Sequence, residues 1–227
     1  LKRHFRFYFF SVFILLSGCA PRSLPPDLYS GVELTLDEVL SRAGYGIDRV
    51  KAVVEIDIER DDALFYHGSA SIVIEKPGMV QIRTYNLGML TADVIVKGDD
   101  ISLLYGDVDK TLEPLIKGIY DMVFWWDSAK DGYMYKDDGL YIIHKKRGEL
   151  YLDSATLFAV KESLILGERR LYITYDKPFK EGDHWYPSLI EVSVDDYKFI
   201  IRVKRLFINP PMGDLSLLQS SGQGQSQ

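Results

Sequence analysis

The sequence predicts a mainly β fold with two helices, a half-open antiparallel β-barrel of about eleven strands covered by a helical lid. Three observations carry this expectation. Short segments of alternating apolar and polar residues follow one another along most of the chain, joined by tight turn sequences. Two stretches break that rhythm with helical spacing, one leading and one inserted in the middle. Aromatic residues make up 13% of the 227 residues, with 15 Tyr and 11 Phe, which favours strands over helices. An open sheet that long must curl or close, and two amphipathic helices suffice to cover its concave side.

The N-terminus precedes the domain and has its own logic. Lys2, Arg3 and Arg6 form a basic region, and an apolar run from Phe7 to Leu16 follows, interrupted by Ser11. Ten residues are too few to cross a hydrocarbon core of about 30 Å as a helix, so residues 1–18 read as a signal peptide. The run ends in Leu16-Ser17-Gly18-Cys19, with the only cysteine of the chain. This resembles the lipobox of bacterial lipoproteins. The resemblance implies cleavage before Cys19 and a covalent diacylglycerol and N-acyl chain on that residue, with no other cofactor. Ala20, which is not Asp, implies sorting to the outer membrane, facing the periplasm. Two or three acyl chains anchor stably where one does not. Residues 19–32 contain three prolines and no periodic pattern and read as the lipidated tether. Residues 216–227 are rich in Ser, Gly and Gln and read as a disordered tail. One domain, residues 33–215, lies between them.

The domain opens on a helix. Thr35 and Glu38 are spaced as a capping box, Leu34 and Val39 occupy staple positions, and Gly44 closes the end. Leu36, Val39, Leu40 and Ala43 follow helical spacing. Strands are expected over residues 54–59, 65–75, 79–85, 90–97 and 101–105, with Lys76-Pro77-Gly78 and Gly98-Asp99-Asp100 as turns. Leu112, Leu115, Ile116, Ile119 and Val123 then recur at helical spacing within residues 111–124, closed by Phe124-Trp125-Trp126. The meander resumes at 133–136, 140–145, 149–153, 156–166, 170–175, 188–195 and 197–208, ending in a hairpin across Asp195-Asp196.

Composition excludes several function classes. A net charge of −6 argues against nucleic acid, whose binding requires a basic face. Without Lys2, Arg3 and Arg6 the balance is 24 basic to 33 acidic side chains, or −9, so headgroup attraction would not hold the domain at a membrane. A single cysteine excludes an intramolecular disulfide framework and a multi-thiolate zinc site. His67, His144 and His184 stand apart, no His-x-x-x-His or Gly-x-Ser-x-Gly spacing occurs, and no metal ligand set is expected. The pairs Asp61-Asp62, Asp99-Asp100, Asp137-Asp138 and Asp195-Asp196 fall at expected turns, where Asp bonds its own backbone. Lys145-Lys146-Arg147 reads as a solvated hairpin tip. No catalytic residue is expected, and the reading is of a non-enzyme.

Several short motifs, in order, are similar to those of the LolA/LolB-type lipoprotein-carrier superfamily. They are Glu75-Lys76-Pro77-Gly78, Asn86-Leu87-Gly88, Trp185-Tyr186-Pro187 and Phe207-Ile208-Asn209-Pro210-Pro211. The lipobox favours the membrane-anchored, LolB-like branch. The resemblance implies an unclosed eleven-stranded barrel, lidded by helices, that holds acyl chains in a hydrophobic cavity. It also implies a loop after the third strand that presents an apolar residue to the membrane. Leu87 is the matching candidate, with Met89 and Leu90 behind it. Met89 and Leu90 can equally open the next strand and lie in the core. Leu36, Leu40, Leu115, Ile119, Val123, Trp125 and Trp126 are candidates for lining the cavity and lid, and the plain alternative for each is core packing. The expected partners are acyl chains of lipoproteins or other lipids, the outer membrane through the lipid anchor, and a periplasmic lipoprotein carrier, with the chain a monomer. The competing expectation is a structural or assembly lipoprotein that docks an envelope complex with its outer surface.

Overall fold

The computed structural model describes residues 24–98, 100–107 and 112–211. Cys19 and the tail 216–227 therefore lie outside the described residues. Residues 24–32 run along the domain rather than away from it. The Tyr29 amide donates to the Ala155 carbonyl (2.9 Å), and the Tyr141 hydroxyl accepts from the Leu34 amide while donating to the Val32 carbonyl.

Helix α1 spans Leu36–Ala43. The Thr35 side chain accepts from the Glu38 amide and the Glu38 carboxylate accepts from the Thr35 amide, so two orphan donors are satisfied reciprocally. The backbone bond from Thr35 holds the Glu38 carboxyl below its usual range. Leu34 and Val39 are both buried, as a staple requires. Gly44 ends the helix at a negative φ of −98°, so its missing Cβ answers a packing need described below.

Five strands follow: β1 (Arg49–Arg60), β2 (Ala63–Glu75), β3 (Met79–Asn86), β4 (Met89–Lys97) and β5 (Asp100–Gly106). Helices α2 (Glu113–Val123) and α3 (Trp125–Ser128) interrupt them. Seven more complete the chain: β6 (Tyr133–Asp137), β7 (Leu140–Lys145), β8 (Gly148–Asp153), β9 (Ala159–Leu166), β10 (Arg169–Glu181), β11 (His184–Val194) and β12 (Tyr197–Ile208). All twelve form one antiparallel sheet in the order β5-β4-β3-β2-β1-β12-β11-β10-β9-β8-β7-β6. The first and last strands of the chain's meander thus meet in the middle, and β5 and β6 are its free ends. The sheet is not closed into a barrel.

Four expectations change. The twelve strands match the twelve segments expected from alternation, where the resemblance implied eleven, but a third, short helix follows α2. The first strand begins at Arg49 rather than residue 54, since Lys51 is a buried lysine under the Phe207 ring rather than a solvated break. The strand expected from residue 156 begins at Ala159, because the Asp153 carboxylate takes the amides of Ala155 and Thr156 in a turn. The ribbon β10–β11 is far longer than expected and carries Pro178 opposite Pro187. Proline supplies no ladder donor, which is why alternation stopped there in the sequence. β12 pairs with β11 only from Tyr197 to Arg202, while the rest of the ribbon is held by β10–β11 bonds.

One face of the sheet is apolar. Val50, Ala52, Val54, Ile72, Ile74, Val80, Ile82, Val94 and Val96 pack with Leu150, Leu164, Leu171, Ile173, Val192 and Phe199 in one core, which the helices share. On the opposite face Asp57 meets Arg202 (2.5 Å) and His67 (2.6 Å), and Glu55 meets Lys204 (2.7 Å). The His67 and then the Arg202 hydrogen bonds hold the Asp57 carboxyl below its usual range.

Candidate functional site

The turn between β3 and β4 consists of Leu87 and Gly88, with φ of +49° and +78°. Positive φ at both positions is the geometry of a two-residue hairpin turn whose first place normally goes to Asn, Asp or Gly. Leucine pays a steric penalty there and is also 93% exposed, so neither packing nor backbone preference explains it. Met89 is exposed beside it, and Leu90 is half-buried opposite Tyr85 at a register shift. Antiparallel order places the start of β2 and the end of β5 at this same end of the sheet. Leu64, Phe65, Leu103, Leu104 and Tyr105 are exposed there as well.

The candidate lid residues are placed by the three helices. Val39 is the fully buried residue of α1, flanked by half-buried Leu36 and Leu40. On α2, Leu115 and Ile119 are buried and Val123 is half-buried; Ile116 and Met122, neither of them singled out for the lid, complete the apolar face. This helix lies against β3 and β9, reaching across the two halves of the sheet. Trp125 and Trp126 of α3 are both buried. Trp126 stands edge-on to Phe124 and to Trp125, with centroids 5.4 and 5.6 Å apart. A Cβ built at Gly44 would lie 2.5 Å from the Trp126 ring, so glycine is what lets α1 close onto α3. Among the described residues the Trp126 indole N–H finds no hydrogen-bond acceptor. Lys76 covers the Phe124 and Trp126 rings at 5.2 and 5.8 Å and reaches Asp127 at 3.7 Å.

The apolar face also holds a charge cluster. Lys145 and Glu162 form an ion pair with side chains 1% and 0% exposed, and the Tyr175 hydroxyl donates to the same carboxylate at 2.5 Å. Burial pushes the Glu162 carboxyl up against the opposing pull of Lys145, and burial likewise raises the Tyr175 hydroxyl. The solvated hairpin tip expected for Lys145-Lys146-Arg147 holds for the exposed Lys146 and Arg147 and is corrected at Lys145. Lys145 follows Tyr141 and Ile143 on the inward face of β7, and Arg147 lines a pocket. The alternation through Tyr141, Ile143 and Lys145 was the available signal, hidden by the run of three basic residues.

That pocket has a volume of about 630 Å³ and lies beside the first half of α2. Its floor is Val80, Val96 and Leu166, and three glycine turns (Gly78, Gly98 and Gly167) edge it without side chains. Lys117, Arg147 and Arg169 line it together with Glu113 and Asp121. Tyr120 lines it too and donates to Asp127 at 3.2 Å; burial and then that carboxylate push its hydroxyl up to about 12, so it stays a neutral donor.

The histidines remain apart from one another. His67 sits with Asp57 on the outer face, and His144 stacks on Tyr133 (4.4 Å) while meeting Glu149 at 3.2 Å. Among the described residues no three His, Cys, Asp or Glu side chains gather in a way that could hold a metal, and no helix is long and apolar enough to cross a membrane. The acidic pairs fall at turns: Asp61, Asp62, Asp138 and Asp195 all have positive φ, and Asp99 lies outside the described residues.

No family model and no curated protein matches this sequence. Solved structures do resemble the fold. A LolA superfamily protein from Nitrosomonas europaea aligns over 81% of this chain and 97% of its own, with a TM-score of 0.60 at 10% identity. A domain described as an outer membrane lipoprotein-sorting protein, from Vibrio parahaemolyticus, aligns over 80% and 94%, with a TM-score of 0.54 at 8% identity. A DUF1329 family protein from Desulfovibrio piger aligns over 79% and 93%, with a TM-score of 0.53 at 11% identity. At such identities the likeness is one of architecture: this chain has the open, helix-lined antiparallel sheet of the LolA superfamily fold.

Proposed function

We propose that the protein is a non-catalytic, lipid-anchored envelope protein, attached through Cys19 to the periplasmic face of the outer membrane, that binds acyl chains against the apolar face of its sheet and passes them to the bilayer. The observation that carries this reading is Leu87, an exposed leucine held at positive φ on a hairpin tip, where folding alone favours Asn or Gly. The fold shared with a LolA superfamily protein and a lipoprotein-sorting domain supports it, and the LolB-like branch is the finer form of the proposal.

Acyl binding in this molecule is an exchange. Leu115, Ile116, Ile119 and Met122 of α2 already occupy the apolar face, so α2 and α3 act as a lid that chains displace. Each buried methylene contributes roughly 0.8 kcal/mol, so chains of ordinary length replace the helix face without an energy source. The cargo is lipoprotein acyl chains or other lipids, handed over by a periplasmic carrier to a monomeric acceptor.

Native mass spectrometry of the chain from residue 19 onward, carrying Cys19→Ala, is expected to show co-purified acyl lipid. In cells, Leu87→Glu is expected to block delivery while leaving the fold intact. A lipid-free protein together with full delivery by Leu87→Glu overturns the proposal. The second reading, a non-carrier lipoprotein that docks an envelope complex, draws on the side chains filling the interior and the exposed Leu103, Leu104 and Tyr105 of edge strand β5; that pair of results would favour it.

A further inference from the structure

The pocket beside α2 does not suit an acyl chain alone. Three cationic side chains, Lys117, Arg147 and Arg169, converge on it over an apolar floor of Val80, Val96 and Leu166. Two of the cations have acidic neighbours: Arg147 stands 3.7 Å from Asp121 and Arg169 stands 3.4 Å from Asp195. Lys117 has no ion partner among the described residues, although Glu113 and Asp121 lie one turn to either side on the same helix. It is half-buried. Two other lysines that leave bulk water are ion-paired, Lys145 with Glu162 and Lys76 with Asp127. Leaving an ammonium group partly desolvated and unpaired is unfavourable, and it is relieved when an anion enters.

We infer that this pocket holds the phosphate of an anionic phospholipid, with its glycerol end on the Val80–Val96–Leu166 floor and its acyl chains continuing under α2. A volume of about 630 Å³ suits a headgroup with its glycerol. The Lys117 ammonium and the Arg147 guanidinium supply the charge-assisted donors. The glycine turns leave the mouth unobstructed, since no atom lies within 4 Å of a Cβ built at Gly98 or Gly167. The inference rests on the acyl-binding reading and adds a headgroup preference to it.

The test is a titration of the full mature chain in non-ionic detergent, followed by NMR at the amides of Gly78, Gly98 and Gly167. The probes are dihexanoyl phosphatidylglycerol, dihexanoyl phosphatidylcholine and inorganic phosphate. Phosphatidylglycerol is expected to shift these amides. Lys117→Gln is expected to weaken its binding about tenfold, with Lys117→Arg restoring it and thermal melting unchanged. Arg147→Gln provides a second variant with the same expected direction. Equal binding of phosphatidylcholine, or no effect of Lys117→Gln, overturns the headgroup site while co-purified lipid still upholds acyl binding. Inorganic phosphate binding as tightly as phosphatidylglycerol assigns the pocket to a free anion and overturns the lipid assignment. Absence of binding by either lipid, with no co-purified lipid, removes the acyl-binding reading along with this one.

Discussion

Lys145 and Glu162 are costly to bury, and they depend on each other. Removing one partner of a buried ion pair leaves an uncompensated charge, which costs about 3 kcal/mol or more. Lys145→Met is accordingly expected to lower the unfolding free energy by about 3 kcal/mol in urea titrations. Lys145→Met with Glu162→Gln should recover most of that loss, because Gln still accepts from the Tyr175 hydroxyl. The single variant also acquires a pH signature. With Lys145 gone, burial holds the Glu162 carboxyl above its ordinary 4.5 in the folded state only. The folded state then binds a proton that the unfolded state has released, so stability falls as pH rises from about 4.5 towards the folded value. A variant whose stability is flat across that window would show that Glu162 gains water when Lys145 is lost. None of this was legible in the sequence, where Lys145 stood in a basic run and Glu162 between Lys161 and Ser163, both ordinary surface patterns. Leu87 was legible, because leucine between Asn86 and Gly88 has nothing to pack against within a turn.

At the level of elements, the sequence was most informative where local chemistry decides the outcome. The capping box at Thr35 and Glu38 and the hairpin across Asp195-Asp196 form as their residues require. It was least informative where a distant contact decides. Pro178 and Pro187 suggested two strand ends and instead face each other across one ribbon, since each proline's missing donor is tolerated where no second neighbour needs it. Gly44 suggested a left-handed helix end and instead makes room for an indole 82 residues later in the chain. Gly44→Ala tests that contact. The added methyl must displace the Trp126 ring or part α1 from α3, at a cost of about 1–3 kcal/mol in chemical denaturation. Paired with Trp126→Leu, the same alanine should be nearly neutral. A neutral Gly44→Ala in the wild-type background would mean that α1 shifts freely on α3.

Over the whole molecule, stability is expected to grade from the middle of the sheet to its ends. β1 and β12 each have a neighbour on both sides, whereas β5 and β6 have one and carry mostly exposed side chains. Amide hydrogen exchange should be slowest for Val54, Ile56 and Ile201 and fastest among strand residues for Leu103, Leu104 and Tyr135. Uniform protection across all twelve strands would indicate that β5 and β6 are covered in solution. The overall curl followed from counting alternating segments in the sequence. That the chain's first and last strands would meet at the sheet's centre, and its middle be left unjoined, did not, because pairing across so many residues leaves no local trace.

The unpaired ends have a mechanical consequence. A closed barrel has a circumference fixed by its strand number, and enlarging it means breaking ladder bonds. Here the seam between β5 and β6 has no ladder, and the chain crosses it through α2 and α3. Spreading the two halves changes only the twist between neighbouring strands and the depth at which the helices sit. The two halves can therefore part without the melting of any strand.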